Sequence, residues 1–428
     1  MEATTSRRNP MLNVLSIRDF RLLWIGGSIS VLGSQFSAIA MPWLVLQLTG
    51  DPLALGIVLA LGGIPRAVFM LIGGVVTDRF SPRLILLTCD WLNFALSGLA
   101  AVLVFTGLMQ VWMLYILSLV TGLLAGFVIP AAQTMVPRLV PPNDLQAGNS
   151  ITMGSSQLAS FVGPSLAGIV IGSYAHSMLG IVVAFAVDSV TFAVSAVALW
   201  LMRGGGKQVP ANPHEEKEGM FASIGTGLRY LWSHGGLRFM FIIMMAVNFL
   251  FVGPLVVGIP VLANQRLPDG ARAFGFLMSA YSGGNLLGFL LAGILPRPTG
   301  RWLSGFVVVL LTAFGLVLCG LGWITLTWVD VLLMFLLGIG NGYIGLIIFT
   351  WVQQRTPKDM LGRMMSMMTL ASMGLVPISQ ALAGVISKWN LTGLFVVAGV
   401  ATVLTALWSL LRPELKSLSE EMTSEQPA

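Results

Sequence analysis

Apolar residues in this chain come in long runs rather than as short stripes. Twelve runs, at 20–48, 53–77, 84–106, 111–135, 147–174, 179–202, 237–264, 273–296, 303–322, 329–352, 363–387 and 393–411, are cut apart only by turn residues and charges. About 20 mostly apolar residues suffice for a helix to cross a bilayer, so the pattern predicts twelve spanning helices. The first run, from Leu22 to Leu48, exceeds the core of a signal peptide and ends without a small-residue cleavage site. It reads as a retained first span.

The one long polar stretch, Arg203–Gly236, contains GGGKQVPANPHEEKEG and divides the spans six and six. Its composition predicts a flexible linker followed by a short interfacial helix. The expected organisation is a six-helix bundle over 1–202, a cytoplasmic linker over 203–236, a second bundle over 237–412 and a tail over 413–428. The halves resemble each other. PRLVPPNDLQAGNS after the fourth span matches QRTPKDMLGRMMS after the tenth, with Arg138 against Arg355 and Pro141 or Pro142 against Pro357. Gly74 and Arg79 likewise correspond to Gly293 and Arg297. Two pseudo-symmetric six-helix bundles in an all-α membrane protein are the arrangement of a rocking transporter.

Composition sharpens this. The chain is 56% hydrophobic and 9% charged over 428 residues, with mean hydropathy +0.87. A soluble domain carries roughly 25% charged residues, so soluble enzyme classes drop out. The net charge of +6 orients loops rather than binding nucleic acid. Nineteen of the 23 Lys and Arg residues fall on the side of the termini and three on the other, Arg66 being inside a span. Short-loop positive charge stays inside, so both termini are expected in the cytoplasm of a plasma (inner) membrane. Cys89 and Cys319 lie within apolar runs, and His176, His214 and His234 are scattered. Neither a disulfide framework nor a metal site is expected.

Between spans two and three stands GGVVTDRFSPR. Glycines admit close helix contact, Asp78 can meet the positive end of a helix, and Arg79 and Arg83 can pair with acids or lipid phosphate. Gly74, Asp78, Arg79 and Arg83 form G-x-x-x-D-R-x-x-x-R, which resembles the signature loop of the major facilitator superfamily, with Ser81 where that loop has glycine. The resemblance implies the major facilitator fold and a conformational role for the loop. Gly163, Pro164 and Gly168 in GPSLAG on span five resemble the glycine–proline motif of that superfamily's exporters. Proline bends a helix and glycine permits contact. FRLLWIGGSISVLGSQ, PWLVLQLTGDPLALG and VPRLVPPNDLQAGNS are similar to the branch of macrolide-efflux and enterobactin-exporter-like proteins. That branch often carries an acid after the glycine of span one, whereas here Gly33 precedes Ser34.

A charge at mid-bilayer costs about 2.5–3.5 kcal/mol, so each one needs a reason. Arg66 lies about 18 Å before Asp78 along its helix, near the midplane, and Asp188 about 14 Å into span six. Asp90 is shallower. Each serves either as a buried pair or packing group or as a substrate or coupling group, and Arg66 is predicted to pair with Asp188 or Asp90 or to line a cavity. Asp330 reads as a helix-start acid. Gln35, beside Ser30, Ser34 and Ser37 on span one, and Asn285 with Ser282 on span eight add polar candidates. Gln133, Asn248 and Asn341 join them through the cavity-lining helices the resemblance implies. Met364, Met365, Met367 and Met368 read as adaptable packing.

The combined reading is a secondary transporter exporting a small amphipathic compound of drug or siderophore type by alternating access with proton antiport. Its partners are that substrate, membrane lipid and the proton, and neither cofactor nor metal is expected. No Walker motif is present, so ATP does not drive it directly. The alternatives are an importer or lipid-moving permease of the same fold, and a non-transporting receptor.

Overall fold

The computed structural model describes residues 10–174, 177–204, 220–233, 235–295, 301–356 and 360–412. Regular structure among them is entirely helical: α1 Pro10–Ser16, α2 Arg18–Thr49, α3 Pro52–Arg79, α4 Pro82–Phe105, α5 Val111–Leu139, α6 Leu145–Ser173, α7 Leu179–Leu201, α8 Met220–Ser233, α9 Gly235–Gly253, α10 Ile259–Gln265, α11 Ala271–Ile294, α12 Arg301–Trp323, α13 Thr327–Arg355, α14 Leu361–Met373, α15 Val376–Trp389 and α16 Leu391–Leu410. A 3-10 turn at Pro142–Asp144 precedes α6, and a π turn at Pro254–Gly258 joins α9 to α10. Among the described residues twelve segments are long and apolar enough to cross a membrane, at the places the apolar runs predicted. Hydrocarbon offers backbone groups no partners, so each segment must satisfy its own as a helix.

The chain forms two compact units, residues 1–48 with 61–212 and residues 49–60 with 213–428. Helix α3 is therefore shared: its start groups with the second unit and the remainder with the first. Gly50, at φ 61, makes the turn from α2 in a conformation that a residue with a Cβ strains to adopt.

Within each unit the same packing recurs. In the first, α4 packs along α7, and in the second α12 packs along α16. Helices α3 and α5 meet backbone to backbone, a Cβ at Gly126 falling 2.7 Å from Phe69 Cβ, while α11 and α13 meet through Gly284, Gly288, Gly338 and Gly342. These contacts follow the parallel repeat. Arg297 and Pro357 of the repeat lie outside the described residues, as does the side chain of Arg355.

Two predicted spans are not continuous helices. Span seven carries the π turn, and span eleven breaks at Gly374–Leu375, between α14 and α15. The reason for the first lies on α15. Gly253 N–H donates to Ser379 Oγ at 2.9 Å, and that hydroxyl donates to the carbonyl of Phe249. The Ser379 side chain is thus inserted into the backbone ladder that would join Gly253 to Phe249. Pro254 follows with no N–H to restore it. A predicted short helix after the linker is found as α8, whereas the linker itself at 205–219 and the tail at 413–428 lie outside the described residues. Met364, Met367 and Met368 are buried in the core of the second unit with Trp351 and Met240.

Candidate functional site

In the first unit most of the buried polar groups lie on α4 and α7, and the sequence explains how α7 is held. The C-terminal carbonyls of α7 accept from Arg83: Nε reaches Leu199 O at 2.8 Å and Nη2 reaches Trp200 O at 2.9 Å. Arg18 adds a bond to Leu201 O at 3.3 Å, and Asp19 accepts from Gly204 N at 2.6 Å. Cations at a helix C-terminus satisfy its orphan carbonyls and its dipole. Among the described residues Arg83 thus caps a neighbouring helix, a contact the sequence did not foretell.

Further in, α7 meets α2 and α4 through small residues. Gly33 of α2 lies against Thr191, and Gly98 of α4 against Ser189, whose hydroxyl donates to Phe94 O at 2.8 Å. At this level Asp188 is 2% exposed. Ser37 of α2 and Ser97 of α4 both donate to its Oδ2, the latter at 2.8 Å. Its Oδ1 is buried with no hydrogen-bond partner. Asp90, also buried, is hydrogen-bonded by Ser195 of α7. The two acids form a reciprocal pattern on antiparallel helices, each bonded by a serine of the other helix. Asp90 and Ser97 are seven residues apart, so the two levels stand about 10.5 Å apart along α4.

Both acids thus have hydroxyl partners, and among the described residues neither pairs with Arg66. The Arg66 guanidinium is half-buried on α3, one residue after Pro65. The pairing half of the expectation fails because small residues bring α7 onto α2 and α4, where serines reach the acids first.

The glycine–proline motif is brought onto span one. Gly163, Pro164 and Gly168 are buried on α6, which runs on through Pro164. A Cβ at Gly163 would fall 2.5 Å from Gln35 Cβ and 3.4 Å from Leu32 Cδ1. Trp24 Nε1 donates to Ser155 Oγ at 2.7 Å on the same pair of helices. Gln35 and the motif therefore touch, although they lie 128 positions apart in the sequence. In GGVVTDRFSPR the close approach belongs to Gly73, where a Cβ would lie 2.5 Å from Gly126 O, and Gly74 faces open space. The side chains of Asp78 and Arg79 lie outside the described residues.

Gln133 is exposed on α5. In the second unit Asn248 donates to Met244 O at 2.8 Å on its own helix. Asn285 presents its backbone to Gly338 and Gly342, flanking Asn341 on α13. Asn248, Asn285 and Asn341 are all partly buried. Sequence reasoning missed one group. Ser379 was not singled out, although a serine among apolar residues two positions after Pro377 is its only signal. Asp330 stands in the first turn of α13, as its reading as a helix-start acid expected, and is fully buried with neither oxygen partnered.

Comparison with known families decides what this scaffold is. The model of the Major Facilitator Superfamily matches residues 23–379. The chain belongs to that superfamily. Its members here are transport proteins rather than enzymes: the multidrug efflux pump Tap of Mycolicibacterium fortuitum is 25% identical over 97% of this chain and 98% of its own length. The enterobactin exporter EntS of Salmonella typhimurium is 25% identical over 89% of each chain. Among solved structures, the peptide transporter POT in complex with alafosfalin shares the fold at TM-score 0.72, 15% identity and coverage of 94% and 95%. A D-xylose–proton symporter does so at TM-score 0.69, 14% identity and coverage of 95% and 99%. The protein is thus a multi-pass membrane transporter of the major facilitator fold.

Proposed function

We propose that this transporter exports small amphipathic compounds, of drug or siderophore type, in exchange for protons by alternating access. The observation that carries the reading is its end-to-end likeness to two exporters, a multidrug pump and an enterobactin exporter. The buried contact of Gly163 with Gln35 supports it, because it places the glycine–proline motif against a polar group of span one. In this reading the two bundles are 1–202 and 237–412, which rock about the substrate. Gly74, Asp78, Arg79 and Arg83 with Gly163, Pro164 and Gly168 serve the conformational change. Arg66, Gln35, Gln133, Asn248, Asn285 and Asn341 offer polar contacts to the substrate. The nineteen-to-three distribution of Lys and Arg supports cytoplasmic termini in the plasma membrane.

The test is accumulation in a pump-deficient host of ethidium, erythromycin, tetracycline and a catecholate siderophore. Expression should lower accumulation of at least one, and collapsing the proton gradient should abolish the difference. Unchanged accumulation of all four refutes export, and raised accumulation makes the protein an importer. Reporters fused in the linker and after Arg412 should both score cytoplasmic.

A further inference from the structure

A carboxyl group inside the membrane needs a reason, and Asp188 lacks the usual ones. Among the described residues no cation reaches it, so it is not half of an ion pair. Nor is it a fully bonded packing group. Both donors, Ser37 and Ser97, converge on Oδ2, while Oδ1 is buried with no partner. Buried polar atoms are paired in the great majority of cases, and an unpaired one calls for an explanation, a bound species or a functional role among them. The smallest thing that fits an unpartnered carboxylate oxygen is a proton.

We propose that Asp188 carries the exchanged proton on Oδ1 and that Ser37 transmits the change to α2. The proposal rests on the proton-exchange reading above and names its residue. Proton uptake forms an O–H bond at Oδ1 and removes the negative charge, and release restores the carboxylate. No other reactant is needed. The bonds from Ser37 and Ser97 respond, since hydrogen bonds to an ionised acceptor are roughly twice as strong as neutral ones. Their consequences differ. Helix α4 is also bound to α7 through Ser189, Gly98 and the Asp90–Ser195 pair. Helix α2 meets α7 at this level through Ser37 and the Gly33–Thr191 contact. A weakened Ser37 bond therefore loosens α2 locally, while Gly26, Arg18 and Asp19 still tie its start to the end of α7. Two residues before Ser37 on α2 is Gln35, packed against Gly163 of the glycine–proline motif. One helix thus links the proton-bearing group to that motif.

Asp330, buried with both oxygens unpartnered, belongs to the second unit, and on the helices around Asp188 few other ionisable groups compete. Helix α2 carries none after Arg21, α6 none along its length and α7 none besides Asp188. Helix α4 contributes Arg83, engaged with carbonyls, together with Cys89 and Asp90, the latter about 10.5 Å away along the helix.

Infrared difference spectroscopy of the purified full chain, titrated between acid and alkaline pH without substrate, tests this directly. The expected result is a protonated-carboxyl C=O component that appears with acid, is lost in Asp188→Asn and persists in both Asp90→Asn and Asp330→Asn. Ser37→Ala should move the midpoint of the band without abolishing it. No band in the native protein, an unchanged band in Asp188→Asn, or its loss in Asp90→Asn or Asp330→Asn instead overturns the proposal. If Asp188→Asn does not elute as folded protein, an unmoved midpoint in Ser37→Ala refutes it. Failure of the export reading looks different: the band remains while no compound in the panel is exported.

Discussion

Asp51 offers a perturbation whose parts can be separated. It stands between Gly50 and Pro52, at the start of the α3 segment that groups with the second unit. Its Oδ1 accepts Leu53 N–H at 3.0 Å, which caps α3, and its Oδ2 takes Lys388 Nζ at 2.8 Å. The bonded Lys388 ammonium, with help from Leu53 N–H and against the effect of burial, holds the Asp51 carboxyl below its ordinary range. The two side chains are 31% and 46% exposed, so solvent screens the pair. An exposed pair contributes about 0.2–1 kcal/mol. Asp51→Asn removes the charge but keeps a good capping oxygen, so amide exchange in residues 53–60 should quicken about 1.4- to 5-fold at pH 7. Asp51→Ala also loses the cap, worth about 0.5–2 kcal/mol, and should add a further factor of about 2 to 30. High salt should erase the first effect and spare the second, because screening acts on the pair. The sign of the pH dependence follows from the lowered folded-state value. The contribution is fully present above the unfolded value of about 3.9 and fades as pH falls through the folded one. Intrinsic-rate-corrected protection should therefore be flat from pH 5 to 8 and decline only in stronger acid. Equal exchange in Asp51→Asn and Asp51→Ala, or protection that falls as pH rises from 5 to 8, would refute the reasoning.

Gly163→Val forces carbon into Gln35 and should lower stability by about 1–3 kcal/mol, whereas Gly74→Ala, facing open space, should leave melting of the purified protein unchanged. Equal melting of the two variants contradicts the packing described. Ser379→Ala strips the partner from Gly253 N–H and Phe249 C=O, at a cost of about 1–3 kcal/mol. Amide exchange across 249–258 should then rise about 5- to 150-fold, and unchanged exchange would mean that the serine does not hold the break open. Arg66→Gln should fold in normal yield yet slow transport of anionic or carbonyl-rich compounds by about 10- to 150-fold, the worth of a hydrogen bond to a charged group. Native yield with native transport of every compound in the panel removes Arg66 from the site.

The spans were legible because hydropathy is summed along the chain. The run at 179–202 became Leu179–Leu201 and the run at 393–411 became Leu391–Leu410. A bilayer accepts only helices of that length, whatever their neighbours. The membership of the superfamily was legible too, since the loop and the glycine–proline motif are local strings. Partners were not. Asp188 and Ser37 are 151 positions apart, and nothing in either stretch says that α2 turns Ser37 toward α7. That depends on the rotation of each helix about its axis, which the small residues Gly33, Gly98 and Thr191 set by letting helices close. The same rotation put Gly73 rather than Gly74 against α5 and sent Arg83 to the carbonyls of α7. The interruption in span seven was likewise invisible, because the hydroxyl that opens it belongs to another helix. Sequence by itself determined how many apolar segments are long enough to cross and roughly where they lie, a matter of length and transfer free energy. Only tertiary structure decided which polar atom meets which, because in hydrocarbon that choice rests on helix rotation and close contact.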